Sequence, residues 1–236
     1  MRVLAIVHED HAGPGVFGEA IAAAGAELDL WQPPTESAPP ADPLGYDAVL
    51  TLGGAMHADQ EDRHGWLREE LSVLRELIAR EVPLIGLCLG GQLVASAAGA
   101  PVRRAARPEI GWHGVELTAA GDADPLLAPL GPGFEVFQWH SYEFELPAGA
   151  VELARSEVCL QACRIGGSAW ALQFHPEVSA ADAAWWIEDY RSDEDAIALG
   201  LDPVALGAET EAKIAGFNDL GRNICRRWLD AARSPA

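Results

Sequence analysis

The segment Pro83-Leu-Ile-Gly-Leu-Cys88-Leu-Gly-Gly-Gln92 decides the fold. Its first half is a short apolar run, the pattern of a strand buried on both faces of a sheet. Its second half opens a helical stretch, Leu89–Ala98, that stops at Gly99. Between them, Gly86-Leu-Cys88-Leu-Gly90 is a G-x-C-x-G corner, the thiol counterpart of a nucleophile elbow. Such a turn leaves no room for side chains two residues before and after the nucleophile, hence the glycines. It places Cys88 in strained backbone at a helix N-terminus, where the dipole favours thiolate. The Leu89 N–H, one residue on, points toward the oxyanion of an attacked carbonyl.

Downstream, Leu172-Gln-Phe-His175-Pro-Glu177 follows the apolar run Ala169–Phe174. A histidine at the carboxyl end of a strand faces the edge where α/β sheets build their sites. His175 is placed to take a proton from Cys88 and to return it to a leaving amine. Glu177 would fix the imidazole tautomer and stabilise its cation. Pro176 stiffens the stretch. His-Pro-Glu alone is a weak signal, and its force comes from the elbow.

Outward from this pair, strands and helices alternate. Val3–Val7, Glu27–Trp31 and Ala48–Leu52 read as strands. Phe17–Ala24 reads as a helix, as does Trp66–Arg80, whose apolar residues 67, 71, 74, 77 and 78 fall at helical spacing. Gln32–Pro43 reads as a surface loop. This alternation predicts a three-layer αβα fold around a mostly parallel, flavodoxin-like sheet. From about Val102 to Ile165 the character changes. Short strand-like runs (Gly114–Leu117, Phe134–Trp139, Val151–Ala154, Cys159–Ile165) imply a small antiparallel or mixed extension. Ser179 caps a helix running through Tyr190, and Ala208–Ala231 is a last helical stretch. With no repeat or linker in view, residues 1–236 form one domain, a core of about 1–190 with a C-terminal helical extension of about 191–236.

The chain carries 36 acidic residues against 16 basic ones, a formal charge of −20, and Lys213 is its single lysine. Such a balance opposes phosphate-backbone binding, so no nucleic acid is expected. No apolar run approaches the roughly 20 residues of a membrane span. The N-terminal run Met1–Val7 is too short for a signal core. A cytoplasmic protein is expected. Cys88, Cys159, Cys163 and Cys225 show no disulfide framework, which suits a reducing compartment and a working thiol.

These motifs resemble those of the class I glutamine amidotransferase family, the triad-type glutaminases, over about residues 1–190. Thr51-Leu-Gly53-Gly54 is similar to the family's oxyanion strand, Gly86–Gln92 to its elbow, and Gln173-Phe-His175-Pro-Glu177 to its His-Glu segment. The resemblance implies a catalytic triad of Cys88, His175 and Glu177, with Leu89 and Gly54 supplying oxyanion-hole N–H groups. It implies substrate contacts at Gly53, Gln92, His140, Ser141 and Tyr142. Ser141 stands where the family has glycine, and Gly91 where it commonly has histidine. Met56–Asp62, Trp66-Leu67, Glu70 and Glu109-Ile-Gly-Trp112 resemble free-standing relatives of the glutaminase domain of GMP synthase. The implied reaction is hydrolysis of the glutamine side-chain amide through a γ-glutamyl thioester. It gives glutamate and ammonia, the latter for a separate synthase or acceptor subunit. Hydrolysis of γ-glutamyl peptides by the same triad is a second enzymatic reading. A weakly catalytic or partner-gated regulatory module is a third. No cofactor and no metal are expected, and the sequence sets no oligomeric state.

Other features read as structural. His8-Glu-Asp-His11 follows a strand without metal-site spacing, so it reads as a polar loop at the sheet's active edge. His57 and His64 fall in a polar loop near the oxyanion strand and read as surface residues, with lining of the cleft the alternative for either. Arg103, Arg104 and Arg107 read as a solvated loop. Cys159 and Cys163 lack a second ligand pair for zinc and read as buried thiols. Trp185-Trp186 reads as split between core and surface. Leu220, Ile224, Trp228 and Leu229 read as the packing face of the last helix.

Overall fold

The computed structural model describes residues 1–36, 38–131 and 133–233. Ser37, within the expected Gln32–Pro43 loop, and residues 234–236, within the expected C-terminal extension, lie outside the described residues. A nine-stranded sheet runs through the molecule in the order β2-β1-β3-β4-β9-β8-β7-β5-β6. Its parallel half consists of β1 (Arg2–Ile6), β2 (Glu27–Trp31), β3 (Ala48–Thr51), β4 (Leu84–Leu87) and β9 (Ala169–Leu172). Its antiparallel half adds β5 (Val102–Leu117), β6 (Gly133–Phe144), β7 (Val151–Arg155) and β8 (Leu160–Ile165). The helices are α1 (Gly15–Ala23), α2 (Trp66–Ala79), α3 (Leu89–Ala97), α4 (Ala180–Glu188), α5 (Glu194–Ala198) and α6 (Pro203–Arg233).

The continuous apolar strands follow from having helices on both faces. In and beside β1, Val3, Ala5 and Val7 enter one core, while Leu4 and Ile6 enter the other. Ala48 and Leu50 of β3 likewise oppose Val49. Period-two alternation therefore sends apolar groups to both sides, and no polar face remains. α1, α4 and α6 cover the first core, with Phe17, Ile187, Phe217 and Trp228 buried in it. α2 and α3 cover the second through Leu67, Leu71, Leu74 and Leu93. The predicted packing face of the last helix is confirmed at Ile224, Trp228 and Leu229, which are at most 1% exposed. Ser179 closes a capping box with Asp182 at the start of α4.

The antiparallel half is larger than its sequence suggested. β5 is 16 residues long, where only Gly114–Leu117 was legible. Pro108 falls within it, at a register shift between Arg104 and Glu109. A bulge is where a strand tolerates proline, and here it conceals the strand's first half. Arg103, Arg104 and Arg107 accordingly project from a strand rather than a loop. Each is paired, with Glu143 and Glu145, Asp195, and Glu157 respectively. Among the described residues no helix is long and apolar enough to cross a membrane.

Candidate active site

Three parallel strands end at one place. β4 breaks at Cys88 into α3, β3 runs out into Gly53-Gly54, and β9 runs out into Gln173–Glu177. Cys88 has φ 52° and ψ −111°, a left-handed conformation for a residue with a side chain. Such strain costs about 1–3 kcal/mol and persists only where its surroundings enforce it. They do so here. A Cβ on Gly86 would lie 2.4 Å from the Gly90 carbonyl oxygen, and one on Gly90 would lie 2.1 Å from that of Thr51. The elbow's glycines are thus required by backbone packed on backbone.

Gly53 lies beside both Cys88 and His175. A Cβ there would lie 2.9 Å from His175 Cε1 and 3.8 Å from Cys88 Cβ. His175 Nδ1 is 2.8 Å from Glu177 Oε1, with both side chains buried. Since the carboxylate accepts at Nδ1, Nε2 is the nitrogen left for the thiol. It has no hydrogen-bond partner among the described residues. Burial lowers the His175 pKa, but the Cys88 sulfur and the Glu177 carboxylate outweigh it and raise the ring to about 10. The ring's edge meets Trp186, with centroids 4.8 Å apart at 73°. Cys88 Sγ lies 3.8 Å from the Trp139 carbonyl oxygen and 3.8 Å from Gln173 Nε2.

Of the expected substrate residues, Gln92, His140, Ser141 and Tyr142 line a cleft of about 480 Å³ together with Cys88, His175, Gly54 and Leu89. Gly53 does not; it is buried against His175. The His140 side chain turns away from the cleft. Its Nδ1 donates to the Tyr142 carbonyl at 2.9 Å, and its Nε2 lies 3.2 Å from Glu109 Oε2. Gln92 Nε2 donates to the same Tyr142 carbonyl at 3.1 Å. His140 and Gln92 therefore set the path of residues 140–142 along the cleft wall.

Glu109, His140 and Cys159 bring ligand-type atoms within 4.8 Å of one another. Glu109 Oε2 already accepts from Gln161 Nε2 at 2.8 Å and Ser156 Oγ at 3.1 Å, so its oxygen is engaged by neighbouring donors. Burial raises the Glu109 pKa, but His140 outweighs it and holds the carboxyl below its usual range. The adjoining Cys159 thiol is raised by burial and by Glu109, which keeps it protonated. Cys159 and Cys163 are both buried and free, as their spacing suggested.

Several contributors were missed or misread in the sequence. His57, expected at the surface or in the cleft, lines the cleft and stacks on Tyr142 at 4.0 Å. Trp185 and Trp186 also line it, where core and surface packing were expected. Trp185 stacks on His11 at 3.9 Å, and Trp186 Nε1 donates to the His11 carbonyl at 2.8 Å. Their adjacency on the helix that follows His-Pro-Glu was the available signal. His8 does sit at the active edge, yet it is buried rather than solvated, with Nε2 2.9 Å from a buried Glu70.

With this geometry in view, comparison with known proteins is direct. Residues 17–185 match the family model described as "Glutamine amidotransferase class-I". A γ-glutamyl-L-1-hydroxyisopropylamide hydrolase from a Pseudomonas species is 37% identical over 172 residues, covering 66% of this chain and 58% of that protein. A glutamine-hydrolyzing GMP synthase subunit from Sulfolobus acidocaldarius is 33% identical over 137 residues, covering 56% of this chain and 68% of that protein. The crystal structure of a glutamine amidotransferase from Thermotoga maritima superposes with a TM-score of 0.88 at 31% identity over 98% of both chains. Family model, relatives and fold agree: this chain belongs to the class I glutamine amidotransferase family and is an enzyme of that family.

Proposed function

We propose that the chain hydrolyses γ-glutamyl amides whose leaving amine is larger than ammonia, through a γ-glutamyl thioester on Cys88. The observation that carries this reading is the openness of the cleft. Beyond Cys88 and His175 its wall is built from the exposed side chains of Arg104, Trp185, Asp189, Ser192 and Glu194. A glutaminase needs only a closed seat for an ammonia-sized group at that end. An open trough beside the leaving-group nitrogen suits a substituted amine. The similarity to a hydrolase named for a γ-glutamyl hydroxyalkylamide supports the same substrate class.

In this reading His175 Nε2 takes the Cys88 thiol proton, Sγ attacks the γ-carbonyl carbon, and the C=O electron pair moves onto oxygen. The oxyanion is met by the N–H groups of Leu89 and Gly54. As the tetrahedral intermediate collapses, the C–N bond breaks and His175 Nε2–H gives its proton to the departing amine. His175 then takes a proton from water. The hydroxide oxygen attacks the thioester carbon, the C–S bond breaks as His175 returns its proton to Cys88 Sγ, and glutamate leaves. Glu177 holds the ring by Nδ1 throughout and stabilises its cation.

A second reading, supply of ammonia from glutamine to a separate synthase subunit, draws on the similarity to GMP synthase subunits. Glutamate release from glutamine and from γ-glutamyl isopropylamide, measured side by side with Cys88→Ala as control, separates the two. The proposal expects a higher kcat/KM for the alkylamide and none for the variant. Cys88-dependent release from glutamine alone would establish the second reading instead.

A further inference from the structure

We infer that His8 and Glu70 are positioning residues that lock the oxyanion strand, by clamping the Gly53 carbonyl so that the next N–H faces the substrate. The inference rests on the reading that Leu89 and Gly54 hold the carbonyl oxygen. It adds the device that keeps Gly54 in place.

Gly53-Gly54 is the weakest part of that arrangement. Neither residue has a side chain to anchor it, and glycine peptides rotate more freely than others. A half-turn of the Gly53–Gly54 peptide would exchange a donor for a carbonyl oxygen at the point where negative charge develops. Among the described residues, neither the Gly54 nor the Leu89 N–H donates to a protein acceptor. Neighbouring backbone bonds therefore do not fix the Gly54 orientation.

His8 does. Its Nδ1 lies 3.0 Å from the Gly53 carbonyl oxygen. A carbonyl only accepts, so Nδ1 carries the proton and donates it. In a planar trans peptide the N–H points opposite to the C=O. Holding the Gly53 oxygen toward His8 thus turns the Gly54 N–H away from His8. Gly54 itself lines the cleft with Leu89 and Cys88. The His8 ring is held from the far side, where Nε2 lies 2.9 Å from Glu70 Oε2; facing an acceptor on each side, both ring nitrogens donate. Glu70 is held in turn by Thr51, whose Oγ1 donates to Oε1 at 2.7 Å. His8 and Glu70 side chains are both 0% exposed. Burial lowers the His8 pKa, but Glu70 outweighs it by charge and hydrogen bond and leaves it raised. Trp66 stacks on the ring at 5.3 Å. A buried charged pair costs much desolvation and is a poor device for stability alone. Placed one peptide from the reacting centre, it acts on function.

The test compares two reactions of Cys88 that need no γ-glutamyl recognition. Acylation by p-nitrophenyl acetate passes through a tetrahedral oxyanion; alkylation by iodoacetamide does not. In His8→Ala and Glu70→Ala, acylation should fall about 100-fold, the effect of misplacing one oxyanion donor. Alkylation should stay within about threefold of the parent, because the thiolate is untouched. Glu70→Gln should keep most of the acylation rate. Its Nε2–H can donate to His8 Nε2 while its Oε1 still accepts from Thr51, so the Nδ1–H tautomer survives. Equal loss in both reactions would reduce the pair to a structural role and overturn the inference, as would no loss in either. Should the alanine variants not fold, the parent protein decides: nitrogen-15 spectra should show a protonated His8 Nδ1 coupled through the hydrogen bond to the Gly53 carbonyl carbon. An unprotonated Nδ1 would overturn the inference. Failure of γ-glutamyl hydrolysis in the parent would count against the proposed substrate and leave this comparison intact.

Discussion

Replacing Glu177 with Gln tests how much of the imidazolium is held by charge. The substituted amide keeps an oxygen that can accept from His175 Nδ1, so the ring stays oriented while its buried counter-charge is removed. The His175 pKa is raised from 6.5 to about 10. That rise is the net of opposing effects: burial lowers the ring, and the Cys88 sulfur and the Glu177 carboxylate raise it by more. Removing the Glu177 charge should therefore lower the His175 pKa and reduce kcat/KM by about 100-fold, the lower end of what a positioned general acid–base contributes. Titration of the His175 Cε1 proton by NMR, beside kcat/KM for a γ-glutamyl anilide, reads both quantities. The ring titrates higher folded than unfolded. The pair's contribution to stability is therefore complete below about pH 6.5 and is lost as pH rises through about 10. Parent and variant should differ most in Tm at neutral and mildly acidic pH, and converge as pH approaches 10. A His175 pKa that stays near 10 in Glu177→Gln, with kcat/KM within about twofold of the parent, would refute the reasoning.

Other outcomes follow from the same structure. Cys88→Ala should also lower the His175 pKa, since it removes one of the two groups that raise it; the same NMR titration checks this. In Gly90→Ala the new methyl must displace the Thr51 carbonyl. A cost of about 1–3 kcal/mol should appear as a Tm lower by roughly 3–10 °C, with kcat reduced as β3 and the elbow move apart. The cleft wall carries Glu9, Asp189, Asp193, Glu194 and Asp195 against Arg104. A leaving group bearing a carboxylate, as in γ-glutamylglycine, should therefore react about tenfold more slowly than a neutral alkylamide at low salt, and the gap should shrink at about 0.5 M salt.

The parallel half of the sheet was legible because its physics is local. β1, β3 and β4 are apolar runs, and β2, which alternates polar and apolar residues, has the bounds read from sequence. Cys88, His175 and Glu177 were legible because an elbow and a strand end each leave a short, spaced signature. The rest depends on distant pairings. β5 buries few of its residues, and Pro108 with its bulge breaks the alternation a strand would show. α5 is too short to establish a helical period. His8 and Glu70 are separated by 62 positions, and neither reveals from its neighbours that the other is its partner. Glu70 lies at helical spacing from Leu67 and Leu74, on the buried face of α2, but that pattern does not name its partner. Trp185 and Trp186 are cleft residues only because the turn after β9 carries α4 back across the site.

The most direct test of the central claim is to trap the acyl-enzyme. Protein mixed with excess γ-glutamyl isopropylamide, quenched in acid within one turnover and digested, should yield the Cys88 peptide carrying one γ-glutamyl group, labile to hydroxylamine. His175→Ala should carry much less. A γ-glutamyl group on another residue, or steady turnover with the Cys88 peptide always unmodified and Cys88→Ala still active, would contradict the account.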